Sequence, residues 1–335
     1  MRAPRVIPAM RLSDFDDDER TALQALQSRI GRAHLRHRLE LEGEHEARVF
    51  RPRTHFLHLE NWLPGHAVIG AALTVLGLRG RGRRNTLRIR LRHNAVALAR
   101  LPAAFEGYRL LQLSDLHLDV GGAYLAALIE RVRCVASDAC VLTGDFRFRT
   151  AGPHASALQA LAALRPHLPA TTLAVLGNHD SVRMVPAMEA LGIGVLMNES
   201  SRLDRAGASL YVAGIDDAHY FRAHGLHKAA DSVPQDGCVV LLSHTPEPYR
   251  AAAHCGFDLM LCGHTHGGQI CLPGGIPLLT DSDAPRALAR GPWRYGAMQG
   301  YTSVGCGSSI VDARFNCLPE ITLHRLSRPG GAAAQ

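Results

Sequence analysis

Lysine is almost missing from this chain: Lys228 stands alone among 37 basic residues, the rest being arginine. Beside so much alanine, leucine and glycine, the skew reads as compositional bias, so the net charge of +7 is a weak argument for a nucleic-acid partner. The eight cysteines (134, 140, 238, 255, 262, 271, 306 and 317) form no C-x-x-C pair, which removes the common thiolate metal and redox motifs. Cys140, Cys238 and Cys262 sit in apolar runs, where a thiol behaves as a small hydrophobe, and a reducing compartment is expected. No apolar run reaches the roughly 20 residues a membrane span needs. The N-terminus turns acidic at Asp14–Glu19 where a signal peptide would be apolar, so a cytoplasmic location is expected. No period repeats.

What is present is 47% hydrophobic residues, enough for a sizeable core. Residues 1–85 read as a separate, helical segment with no chemistry visible in it. Within it, the apolar stretch Ala67–Leu78 leads into Arg79, Arg81, Arg83, Arg84, Arg88, Arg90 and Arg92, with no acid from 79 to 92. An apolar helix followed by a polybasic run suits the interface of an anionic leaflet. The alternative is a core helix followed by a solvated arginine strand, and both stay open. From 86 to 328 short apolar strands alternate with helical stretches such as "AYLAALIERVRCVA", and the last strands follow without helices. This predicts an α/β domain of stacked mixed β-sheets flanked by α-helices; residues 329–335 are expected to be a disordered tail.

Five of the apolar strands end in polar tips: "SDLH" (114–117), "TGD" (143–145), "GNHD" (177–180), "SH" (243–244) and "GHTH" (263–266). Ligands gather at the carboxyl ends of strands in α/β folds, so these tips should converge. They carry Asp115, His117, Asp145, Asn178, His179, His244, His264 and His266. Imidazole with carboxylate suits Mn, Fe or Zn better than Ca or Mg, and even the seven that remain when His179 is set aside are too many for one tetrahedral ion. Divided between two divalent ions, with Asp145 shared, they give each a mixed shell.

The ordered set D-x-H, GD, GNHD, H and GHTH, running over about 86–326, resembles the calcineurin-like metallophosphoesterases. "LQLSDLHLD", "LSHTPE", "CGHTHGGQI" and "SVGCGSSIVDARFNCLPEITL" are similar to the YkuE/YaeI-like phosphodiesterase branch. The resemblance implies a two-sheet β-sandwich flanked by helices. It also implies one ion on Asp115, His117, Asp145 and His266 and another on Asp145, Asn178, His244 and His264. His179 would donate a proton to the leaving oxygen, with Asp180 either orienting it or capping the next helix. Asp216 and Asp217 would support the metal shell or form a turn; Arg314 and Glu320 would be structural.

The implied activity is hydrolysis of a phosphodiester or pyrophosphate bond by a hydroxide activated between two ions. A lipid-linked substrate such as UDP-2,3-diacylglucosamine fits the branch and the apolar-basic element, with the chain peripheral on the inner face of the plasma membrane. Arg147 and Arg149, in "FRFRT" after the Asp145 tip where many relatives carry an acidic or otherwise polar residue, are candidate forks for a phosphate. A phosphoprotein or phosphomonoester phosphatase, or a scaffold without turnover, are the competing readings.

Overall fold

The computed structural model describes residues 12–49, 63–277 and 279–330. The expected tail falls almost wholly outside them, as does the start of the N-terminal segment.

Two six-stranded sheets face each other. The first runs β1 (Arg90–Ala97), β14 (Glu320–Ser327), β2 (Arg109–Leu113), β3 (Ala139–Thr143), β4 (Thr172–Val175), β5 (Gly194–Val195). The second runs β12 (Gly291–Tyr295), β13 (Met298–Thr302), β9 (Leu259–Cys262), β8 (Val239–Leu242), β7 (Ala208–Gly214), β6 (Glu199–Arg205). Cys271–Leu272 and Ile276–Pro277, β10 and β11, pair as a small hairpin.

The central strands are largely apolar because both their faces are covered, and the buried Gln112 of β2 is hydrogen-bonded to Thr143 Oγ1 and Cys262 O. Alternate side chains serve different layers. In β2, Leu110 enters the core between the sheets, while Leu111 and Leu113 enter the outer core under the helices. In β9, Leu259 and Leu261 point between the sheets, and Met260 and Cys262 point outward. Strands β2 to β5 are parallel to one another, as are β7, β8, β9 and β13. Their carboxyl ends therefore share one edge of the sandwich.

Helix α5 (Gly122–Arg133) buries Tyr124, Leu128 and Val132, with the expected Leu125 and Ile129 at its half-buried margin. Helices α6 (Ala155–Leu164) and α7 (Val185–Ala190) cover the same sheet; α8 (Leu226–Ala230) and α9 (Tyr249–His254) cover the other.

The described part of the 1–85 segment does not stand apart. Helix α1 (Asp17–Ile30) starts at Asp16, whose carboxylate accepts the Glu19 amide, the N-cap arrangement. Its Leu23, Leu26 and Ile30 join Leu35 and Leu39 of α2 (Arg32–Val49) in the first sheet's outer core. Helix α3 (Leu63–Val75) is followed by α4 (Arg79–Thr86), so Arg79 to Arg84 lie on a helix, and only Arg90 and Arg92 of the basic run lie on a strand. Among the described residues no helix is long and apolar enough to cross a membrane.

Candidate metal centre

The five polar tips meet at the shared edge. Asp115 and His117 follow β2, Asp145 follows β3, Asn178 and His179 follow β4, His244 follows β8, and His264 and His266 follow β9. The turns stitch to one another through backbone bonds: the Asp115 amide to Gly144 O (3.0 Å), the His117 amide to Asp145 O (2.9 Å), the Gly263 amide to His244 O (2.8 Å). Asp115, His117, Asp145, His264 and His266 all hold positive φ, between 41° and 70°. Such backbone costs on the order of 1–3 kcal/mol per residue and persists only where the surroundings over-determine it, as at functional sites. Two glycines are required by contact: a Cβ on Gly177 would strike the Asp145 carboxylate, and one on Gly263 would strike Ser114 Oγ and Asp115 Oδ2.

Potential ligand atoms of Asp115, His117, Asp145 and His266 lie within 4.8 Å of one another, and so do those of Asp145, His244 and His264. Asp145 is common to both sets. Its Oδ2 is 3.3 Å from His244 Nε2 and 3.8 Å from the Nε2 atoms of His117 and His179. Asn178 Oδ1 is 2.9 Å from His244 Nε2. All seven expected ligands are buried.

The residues present fit metal ions. His117 Nδ1 donates to Arg147 O and His244 Nδ1 to Thr143 O, each at 2.8 Å. These bonds fix the tautomer and leave the Nε2 lone pairs facing Asp145. Around His244 Nε2, lone pairs of nitrogen, amide oxygen and carboxylate thus converge, an arrangement that calls for positive charge. When no ion is bound a proton answers that call: burial opposes charge on His244, but Asp145 outweighs it and raises the imidazole well above its usual range. Asp145 is likewise disfavoured by burial, yet His179 and His244 hold it well below the usual carboxylate range.

A family model for calcineurin-like phosphoesterases matches residues 108–268. YkoQ, an uncharacterized metallophosphoesterase of Bacillus subtilis, is 31% identical over 229 residues, 65% of this chain and 83% of its own length. The chain belongs to the calcineurin-like metallophosphoesterases. This metallophosphoesterase is also 29% identical over 239 residues to B. subtilis YkuE, an uncharacterized metallophosphoesterase (68% of this chain, 81% of that one). To the Escherichia coli phosphodiesterase YaeI it is 28% identical over 239 residues (65% and 82%). It is a hydrolase of phosphoric esters.

Around the centre of the metallophosphoesterase the structure corrects several expectations. Arg147 is no phosphate fork: it is buried, and it donates to His179 O, Gly152 O (2.7 Å) and Thr150 O (3.1 Å). Its guanidinium staples the loop. Arg149 is exposed and outside the cavity lining. Asp180 does not orient His179, whose Nδ1 donates to Phe148 O at 2.8 Å. Asp180 instead accepts the amides of Asp145, Phe146 and Gly177, each at 2.8 Å, clamping two ligand-bearing tips together. Arg314 braces His266 Nδ1 at 3.1 Å and donates to Gly307 and Val304 carbonyls.

The N-terminal helices also act on the site. Buried Arg38 bonds Asp216 Oδ1 (3.2 Å) and Asp180 O (3.0 Å) and pairs with Glu42 (2.9 Å). Glu42 accepts the Val182 amide at 2.7 Å. Asp217 caps the next turn through the amides of Tyr220 and Phe221. Nothing in the local sequence of α2 signals this role, because its partners lie some 140 to 180 positions away.

A cavity of about 350 Å³ opens on the centre. Asp145, His179, His264 and His266 form one wall, and Val68, Ile69, Ala72 and Leu73 of α3 line it too, with Leu279 and Ile310.

Proposed function

We propose that this metallophosphoesterase hydrolyses a phosphodiester or pyrophosphate bond whose substrate carries an apolar chain. The observation that carries the reading is the cavity, in which the ligand-bearing tips and the apolar face of α3 line one space. Such a space accepts a phosphoryl group at one wall and an acyl chain along the other, as a lipid-linked nucleotide such as UDP-2,3-diacylglucosamine would require.

In this reading Asp115, His117, Asp145 and His266 hold one divalent ion and Asp145, Asn178, His244 and His264 the second, drawn from Mn, Fe or Zn. When bound, the pair supplies Lewis-acid activation of water and neutralises the phosphoryl oxygens. The chain's own residues do the rest. Asp145 sets the spacing of the two sets. Asp180 and Arg147 hold the loops that present them. His179 delivers a proton to the leaving oxygen from Nε2. Burial pushes its pKa down to about 4, so the free imidazole is neutral near pH 7, and the anionic substrate is what favours the imidazolium at the moment of reaction.

Val75, the last residue of α3, and Leu76 just after it, 86% and 67% exposed, lead into the exposed arginines 79, 81, 83 and 84 of α4. This pairing supports peripheral contact with an anionic membrane surface, from which an acyl chain could enter past α3.

The test is hydrolysis of bis(p-nitrophenyl) phosphate by metal-stripped protein with Mn, Fe or Zn restored, beside UDP-2,3-diacylglucosamine and its deacylated counterpart. Metal-dependent turnover with a clear preference for the acylated nucleotide is expected. Equal turnover of the two nucleotides would remove the apolar chain from the reading, and metal-independent turnover would remove the centre.

A further inference from the structure

A second cavity, of about 590 Å³, lies behind the first. Leu73 of α3, with Ile310 and Val311 of the loop before β14, lines both cavities, so these three residues form the partition between them. On the near side stand the ligand-bearing tips. On the far side α3 presents Gly70, Ala71 and Thr74, and there is room beside it, since a Cβ on Gly70 would meet nothing within 4 Å.

The partition is built on a strained residue. Ile310 holds a positive φ, 65°, and among the described residues it is the only β-branched one to do so. Such a residue there is an outlier, whereas glycine would take the same backbone without steric cost. Strain of this kind persists only where the surroundings over-determine it. Gln269 supplies that constraint: its Nε2 donates to Ser309 O (2.8 Å) and Val311 O (2.9 Å), the carbonyls on either side of Ile310, and its Oε1 accepts the Ser309 amide at 2.9 Å. Gln269 is buried and caps the short turn His266–Gly268. Arg314, fully buried, ties the far end of the loop to His266 Nδ1. The partition is therefore fixed to the same turn that presents a candidate metal ligand.

We propose that Ile310 is a specificity-determining residue: its side chain closes the apolar part of the cavity and sets the length of apolar chain that this metallophosphoesterase accepts at full efficiency. The inference rests on the reading that the substrate carries such a chain. A glycine at 310 would relax the loop and open the partition, so the strain is kept for the reach of the side chain. Because Gln269 and Arg314 hold the loop to His266, the span from the reacting phosphoryl group to the partition is constant. A shorter chain leaves apolar wall uncovered, and a longer one has to turn out past α3.

The test is kcat/KM of the Mn-restored full-length protein on a homologous series of p-nitrophenyl n-alkyl phosphodiesters, each value referred to the same protein's turnover of bis(p-nitrophenyl) phosphate. In the parent protein kcat/KM should climb by up to about fourfold for each added methylene and then break at one chain length. Ile310→Gly should move the break to longer chains and Ile310→Phe to shorter ones, opposite shifts that a merely loosened loop does not produce. A break that stays in place in both variants would overturn the partition while leaving the apolar-chain reading intact, and a lowered Tm in Ile310→Gly would then assign the side chain to packing. A parent profile flat in chain length would overturn both. Ile310→Gly, which removes strain rather than adding it, decides the matter even if Ile310→Phe folds badly.

Discussion

Single side chains carry the chemistry because each is committed by its neighbours before substrate arrives. His179 is not among the expected ligands, and its Nδ1 is spent on Phe148 O. His179→Ala should therefore keep its metals, measured by elemental analysis, and lose about 10²- to 10⁴-fold in kcat, the usual worth of a positioned proton donor. Loss of metal in that variant would make it a ligand instead. Asp145 is in contact with both sets, so Asp145→Asn should fall from two ions to one or none; normal occupancy with a normal rate would end its bridging role. The identities of these residues were legible as strand-end motifs. Arg147 was not: two residues from a candidate ligand it looked like a phosphate fork, and only the folded loop turns its guanidinium onto three carbonyls.

Elements matter here by what they clamp. Helix α2 reaches the strand-end loops through Arg38, which is fully buried with Asp216. Removing one partner of a buried ion pair strands the other, so Arg38→Met should cost on the order of 3–5 kcal/mol in urea unfolding. Burial works against the Asp216 carboxylate, but Arg38 and His34 prevail and hold its pKa at about 2, below its usual 3.8. A carboxyl depressed on folding stabilises above its unfolded value and loses that contribution as pH falls through the folded one. Stability should thus drop by about 2 kcal/mol between roughly pH 4 and pH 2, and Asp216→Asn should flatten that step; an unchanged acid limb would separate the pair from stability. Helix α3 is a wall of the cavity, so Leu73→Asp should lower kcat/KM at least tenfold for an acylated diester. Turnover of bis(p-nitrophenyl) phosphate should stay within about twofold, and equal losses on both would make α3 a general support.

At the scale of the whole molecule, two parallel stretches in opposed sheets put five separate tips on one edge, and their convergence leaves buried charge that ions balance. Ions that bind only the folded chain stabilise it by mass action, about 2.7 kcal/mol at a hundredfold excess over Kd. Chelation should lower the Tm by several degrees and Mn should restore it; a Tm indifferent to both would show that the fold carries this charge unaided. The sequence by itself determined the strands, their polar tips and the metal-binding chemistry, because strand periodicity and ligand type are local properties. The stacked sheets were announced by the last strands following one another without helices, and the two-sheet sandwich by the family resemblance of the tips. The docking of α1 and α2, the clamp made by Asp180, the apolar wall of α3 and the bracing of Ile310 by Gln269 were decided only in three dimensions. Each depends on contacts between residues distant in the chain, and a polar side chain reads the same in sequence whether its partner is water, a carbonyl or an ion.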